Sequence, residues 1–265
     1  VENLVTPFKN ITELVVSRDG SVWIGTAGNG LWRMTPQKND FTYQKIQPSN
    51  ADKESMKKIS ALYEDRFGNI WIGTQNSGLW KCRLASQTAL FHSSDIGLNN
   101  LYCTTFFESD NGKVWIGTDG QGLFLVDSLF SLNNHFSDSN GLTSSNVLSS
   151  AVIGSQTYFA SWGGEIVRTD GNSTKFTKVP FHGLSSPSFS VKYIEVVEKD
   201  KLLACTSGDG VYLYENGQWR SIDLTLNGTP DRWTHSAIEG RDGKIWILTS
   251  RTIWHGTLDD LAPVL

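Results

Sequence analysis

Two tryptophans stand where a strand has no use for them. Trp162 sits in a Gly-rich turn with Gly163-Gly164 behind it, and Trp233 in the polar stretch Arg232-Trp-Thr-His235. An aromatic platform beside Arg and polar groups is what carbohydrate recognition asks for, since the ring covers the apolar face of a pyranose and the polar groups pair with hydroxyls. The alternative is that both indoles pack between neighbouring elements of the fold. Gln75, Asp119, Gln121, Asp209, His235 and Arg251 add hydrogen-bonding candidates. Lys57, Lys58, Lys192 and Arg232 make a cationic set that suits an anionic ligand such as a uronic or sulphated sugar. Against that, Asp52, Glu54 and Asp231 lie in the same connections and neutralise the charge.

Catalytic patterns are absent from the sequence. His92, His135, His182, His235 and His255 never fall into an H-x-H or HExxH arrangement, so no metal is expected, and no cofactor motif occurs. There is no G-x-S-x-G elbow, and the Asp259-Asp260 pair reads as a solvated tail. Cys82, Cys103 and Cys205 are odd in number and far apart, which predicts three buried free thiols and leaves the redox compartment open. A net charge of −4 supplies no field for nucleic acid. With 38% hydrophobic and 19% charged residues the chain is globular, not disordered. No run approaches the roughly 20 apolar residues of a membrane span, and the start at Val1 shows no leader pattern. The expectation is a soluble chain without membrane contact.

The elements that position these residues are repeats. Gly20-Ser-Val-Trp-Ile-Gly-Thr26, Gly68-Asn-Ile-Trp-Ile-Gly-Thr74 and Gly112-Lys-Val-Trp-Ile-Gly-Thr118 are followed by weaker copies at 156–161, 201–206 and 243–249. The central column Trp23, Trp71, Trp115, Tyr158, Leu203, Trp246 recurs at spacings of 48, 44, 43, 45 and 43 residues, the length of a propeller blade, about 40 to 50 residues. Within the first unit the punctuation predicts four strands, at Ile11–Val16, Ser21–Thr26, Leu31–Met34 and Phe41–Ile46. The second is apolar on consecutive positions, as expected of a strand buried on both faces. The predicted fold is therefore an all-β propeller of about six four-stranded antiparallel blades. The units fall near 11–47, 59–92, 101–136, 147–181, 191–224 and 234–257 of a single domain spanning 1–265. Residues 1–8 are expected to close the last blade. The alternatives are that the tail 258–265 pairs there, or that the parent has seven blades.

In a propeller the turns between the second and third strands share one face with the connections between blades. The residue after the motif Thr varies there as Ala27, Gln75, Asp119, Trp162, Ser207 and Ser250, while the scaffold around it is constant. A second column, Thr12, Ser60, Thr104, Leu148, Lys192 and His235, opens the innermost strand. Such turn residues are either merely solvated or a surface that reads a ligand.

The pattern I-x-x-L-x-x-D-x-x-G-x-I/V-W-I-G-T-x-x-x-G-L, from Ile59 to Leu79, resembles the two-component regulator propeller repeat. The resemblance covers the whole chain and is strongest over 11–126. An altered G-L-P-S/T-N signature stands at Gly97-Leu-Asn-Asn100 and Gly141-Leu-Thr-Ser-Ser-Asn146. Repeats four and five depart, having lost Trp and the Gly-Thr pair. The resemblance implies the periplasmic sensor region of a bacterial histidine kinase or hybrid two-component receptor, often one that senses glycans, and marks this chain as a fragment of a larger sensor. Its implied partners are an oligosaccharide or other small ligand, neighbouring propeller or Ig-like domains, and a second copy. On that reading no residue here is catalytic. The runner-up resembles virginiamycin B lyase, for which His235 and Glu165 would be the catalytic pair. A pure interaction scaffold is the third class, with loop 48–58 as its contact.

Overall fold

The computed structural model describes residues 6–38, 40–47, 55–83, 90–163, 166–170, 175–180 and 190–264. Among them are six four-stranded antiparallel sheets, each with its strands in chain order, and one two-stranded ribbon. The sheets span 11–46, 59–92, 103–136, 147–179, 191–222 and 234–264. They match the six repeats and are called blades 1 to 6, with strands a to d. The chain divides into two compact units, Val1–His135 with blades 1 to 3 and Phe136–Leu265 with blades 4 to 6.

Turn chemistry sets the strand ends. Between strands a and b, Gly20, Gly68, Gly112 and Gly243 adopt φ between 75° and 81°, and each donates its N–H back to the carbonyl three residues earlier. A side chain would strain that left-handed position. The ribbon Thr225–Leu226 with Thr229–Pro230 turns on Asn227-Gly228, both at positive φ, the usual chemistry of a two-residue hairpin.

Blade 6 takes its outer strand from Asp260–Val264, paired with Ile253–Thr257. The expectation that residues 1–8 supply this strand is overturned. Phe8 is buried in blade 1, its ring 5.3 Å from Trp32 and 6.0 Å from Tyr43, and residues 1–5 lie outside the described residues. Connectivity explains the choice. Only Leu258 and Asp259 separate Thr257 from its partner Asp260, so a short hairpin closes at far lower entropic cost than a pairing across the whole chain.

The apolar core lies between successive blades. Trp23, Leu31, Ile59, Leu62, Ile72 and Trp80 join blades 1 and 2, and Trp71, Leu79, Cys103, Ile116, Phe124 and Phe130 join blades 2 and 3. Each fully buried aliphatic side chain contributes about 1.5–3 kcal/mol. The motif Gly permits the approach, since a Cβ on Gly25 would lie 2.6 Å from Ile59 Cγ2 and one on Gly73 2.6 Å from Cys103 Cβ. Strand b is buried on both faces in blades 2 and 3. In blade 6 it alternates, with Trp246 and Leu248 exposed. Arginines in the a–b turns tie blade 1 to blade 2 and blade 2 to blade 3. Arg18 donates to Asp65 O and Arg66 O, and Arg66 donates to Glu108 Oε1, Ser109 O and Asp110 O. The three thiols are free and buried.

Candidate ligand-binding site

The motif Thr is a side-chain bolt for the b–c turn. Thr26, Thr74, Thr118 and Thr206 each donate Oγ1–H to the carbonyl four residues on, at 2.8 Å. Each also accepts the N–H three residues on, at 2.9–3.1 Å. Thr249 Oγ1 likewise accepts the Thr252 N–H, at 3.0 Å. Only a β-hydroxyl at the strand end reaches both groups, which is why Gly-Thr recurs while its neighbours vary. The rigid turns hold out Gln75, Asp119 and Gln121 in the first unit and Asp209 and Ser250 in the second. Gln121 Nε2–H donates to Asn100 O at 3.2 Å and Gln121 O pairs with His135 Nε2 at 2.7 Å.

In the second unit the connection from blade 5 to blade 6 is clamped between two such turns. Gly208 and Gly210 donate N–H to Arg232 O. Ser207 and Trp233 form a β-bridge, and Ser250 N–H donates to Trp233 O at 2.9 Å. The indole of Trp233 is 57% exposed. Its benzo portion lies over Gly208, where a Cβ would stand 3.5 Å from the ring. Around it, His235 Nε2 pairs with Ser250 Oγ at 2.8 Å. Tyr212 donates its hydroxyl to Asp209 at 2.6 Å, and Arg251 Nη1 donates to Thr229 O at 3.4 Å. Burial, and then the bond to Asp209, push the Tyr212 hydroxyl up, so it stays protonated and a donor. The backbone bonds place Trp233 and its neighbour Arg232 between the turns that carry Asp209 and Ser250.

The other expected residues stand elsewhere. Trp162, 55% exposed, is carried by the turn of blade 4, its N–H donated to Asn146 O. The column opening strand a is a column of β-bulges, for the a–b register shifts at Thr12, Ser60, Thr104, Leu148, Lys192 and His235. A bulge re-aims one side chain. In the first unit it aims hydroxyls at the next blade, Thr12 donating to Ile59 O and Ser60 to Cys103 O. At those two positions the bulge stitches one blade to the next. Lys192 is half-buried.

Asp231 turns inward. It is buried and accepts from Thr249 Oγ1 at 2.6 Å and Trp254 Nε1 at 3.1 Å. Asp52, Glu54, Gly164 and Glu165 lie outside the described residues, and with Glu165 the lyase pair. The sequence reading missed Tyr212 and the buried role of Asp231; an acid before an exposed Arg-Trp pair and a Tyr three residues after Asp209 were the available signals. Among the described residues no three His, Cys, Asp or Glu side chains gather as a metal site.

Six meander sheets of this kind, packed blade on blade within each unit, define a β-propeller fold. Residues 54–76 of the chain match the family model of the two component regulator propeller. Among solved structures it is similar to the extracellular domain of the hybrid two component system BT3049 from B. thetaiotaomicron, at TM-score 0.75 and 20% identity over 94% of this chain and 33% of that one. It is also similar to the extracellular domain of the hybrid two component system BT4673 from the same organism, at TM-score 0.77 and 20% identity over 96% and 36%. A catalytically inactive virginiamycin B lyase from Staphylococcus aureus, solved with quinupristin, shares the fold at TM-score 0.76 and 14% identity over 99% and 87%. The chain spans about a third of the length of these two extracellular-domain structures. No curated protein matches it.

Proposed function

We propose that this propeller is the extracytoplasmic ligand-sensing part of a bacterial two-component receptor, and that it recognises a carbohydrate or related small molecule at the Trp233 platform. The observation that carries the proposal is the exposed indole, held by backbone bonds on both sides and flanked by Arg232, Asp209 and the His235–Ser250 pair. The repeat type and the likeness to extracellular domains support the receptor context. No helix of the described residues is long and apolar enough to cross a membrane. On this reading the chain performs no catalysis. Ligand shifts the population of receptor states by its differential affinity for them.

The test is a thermal-shift screen of the chain against neutral and acidic oligosaccharides, repeated with Trp233→Ala. Stabilisation by one glycan class is expected. The variant should melt cooperatively and bind that class about tenfold more weakly, the worth of a stacked ring. Equal stabilisation of both proteins would remove the platform from the mechanism.

A further inference from the structure

Blade 6 buries one side and exposes the other. Its Ala237, Ile245, Ile247 and Trp254 pack against Leu203, Cys205 and Leu213 of blade 5. On the other side the register sets Ile238 beside Trp246, and Leu248 beside Ile253 and Val264, in antiparallel pairs that share one face of the sheet. All five are exposed. Trp246 is 40% exposed, whereas Trp23, Trp71 and Trp115, which hold the same place in blades 1 to 3, are at most 2%. In blades 1 and 2 this is the side that meets the next blade, through Trp23 and Leu31 or Trp71 and Leu79. A repeat that ends an array carries a polar outer face, and five large apolar side chains exposed together mark an interface.

Two positions describe what fits there. The first is a backbone N–H in the a–b turn. Arg18 and Arg66 donate it to Glu64 and Glu108, at 3.0 and 2.7 Å, and Glu198 donates it to Glu239 at 2.8 Å. Each acceptor is the carboxylate that ends strand a of the following blade, and a charged acceptor makes a strong bond. Arg241 is the counterpart of Arg18 and Arg66 in blade 6, and it makes no hydrogen bond or ion pair among the described residues. The second position is the motif Gly. Gly25 and Gly73 leave room for Ile59 and Cys103, the first residues of the next strand a. Blade 6 has Leu248 in that place, so the residue facing it must be small, since a packed interface tolerates neither overlap nor void. Blade 1, with Ile11 and Val16 at the ends of its strand a, carries neither feature.

We infer that this side of blade 6 is a docking face for one further four-stranded blade, distinct from the six described. Its strand a begins with a small residue opposite Leu248 and ends in a carboxylate that accepts from Arg241. The inference does not depend on the Trp233 platform or on any ligand bound there.

The experiment extends the chain after Leu265 with a copy of 93–136, blade 3 and the connection before it, carrying Cys103→Ala. The strand a of that copy ends in Glu108. Ile253→Cys on blade 6 reports cover, read by mass spectrometry at residue 253 after a pulse of maleimide. The unextended chain should sediment as a monomer and label at the rate of an exposed thiol. The extended chain should label at least about tenfold more slowly. Cys103→Ile or Glu108→Val in the appended copy, or Arg241→Ala in blade 6, should each restore labelling several-fold. A copy of 55–92 carrying Ile59→Ala repeats the test should the first extension not fold. Labelling as fast in both extended chains as in the unextended one overturns the inference. So does equal protection by the Cys103→Ile and Glu108→Val copies. An unextended chain that is a dimer with residue 253 already protected assigns the face to a second copy and overturns it too.

Discussion

Blades 1 and 2 share a motif yet keep their turn carboxylate on opposite sides of it. In blade 2, Asp65 is 1% exposed and accepts from Phe67 N–H, Asn69 N–H and side-chain amide, and Trp71 Nε1 at 2.8–3.0 Å. Lys81 Nζ lies 4.0 Å from it and 4.7 Å from the Trp71 ring centre, and donates to Ser128 O. In blade 1 the equivalent position is Ser17, and the acid comes two residues later as Asp19. There it accepts from Ser21 and pairs with Arg33 near the surface. Hydrogen bonds from Ser21, then the Arg33 charge, hold the Asp19 carboxyl below its ordinary range. The Ser17 hydroxyl and Trp23 Nε1 are left buried without partners among the described residues. A shift of two positions decides whether the central tryptophan is anchored by a buried ion pair or by packing alone. Residues 54–76, the stretch that matches the family model, contain the anchored version.

The largest expected effect comes from removing that anchor. Asp65→Ala leaves the Trp71 and Asn69 donors unmatched and Lys81 buried without its counter-charge, which should cost about 3–5 kcal/mol in urea unfolding. Asp19→Ala, on the surface, should cost less than about 1 kcal/mol. Equal losses would break the comparison.

A second contrast lies in strand a, where blade 2 has the buried Ala61 and blade 1 has Glu13, each paired with its motif Gly. Burial pushes the Glu13 carboxyl up to about 7, from 4.5 in the free residue. Between those pH values the folded protein keeps a proton that the unfolded chain has lost. The stability contribution is therefore fully present below pH 4.5 and is lost as pH rises through 7. With the partial exposure of Glu13 discounted, the loss should be on the order of 1–2 kcal/mol. Unfolding midpoints at pH 5 and pH 8 should differ less in Glu13→Ala than in the parent. An unchanged difference would place the titrating group elsewhere.

The smallest effect is a gain. Ser17→Asp combined with Asp19→Ala transplants the blade 2 arrangement and should stabilise by up to about 1 kcal/mol through a bond to Trp23 Nε1. A loss in the double variant would show that the acid needs the Lys81-type cation, and that Arg33, 5.7 Å from the Trp23 ring centre, is no substitute.

Much of the architecture was legible because each blade repeats one solution to one packing problem. Strands Ile11–Val16 and Phe41–Ile46 fall where the turn residues and alternation place them. The outer strand of blade 6 was not legible. Two short terminal segments fit the place equally well as sequence, and only the two-residue hairpin decides between them. At the candidate site, Trp233 was visible because it breaks a polar connection. The hydroxyls of Thr12 and Ser60 were not legible as stitches, because their acceptors lie on the next blade, 47 and 43 residues away in the chain.

The three sulfurs carry a different consequence. Burial pushes the Cys103 and Cys205 thiols up to about 12 and raises Cys82 as well. Thiolate is the nucleophile that attacks peroxides and disulfides, and burial disfavours it at these positions. The folded chain should therefore react only slowly at its cysteines. Alkylating reagents should find its cysteines only after the blades come apart.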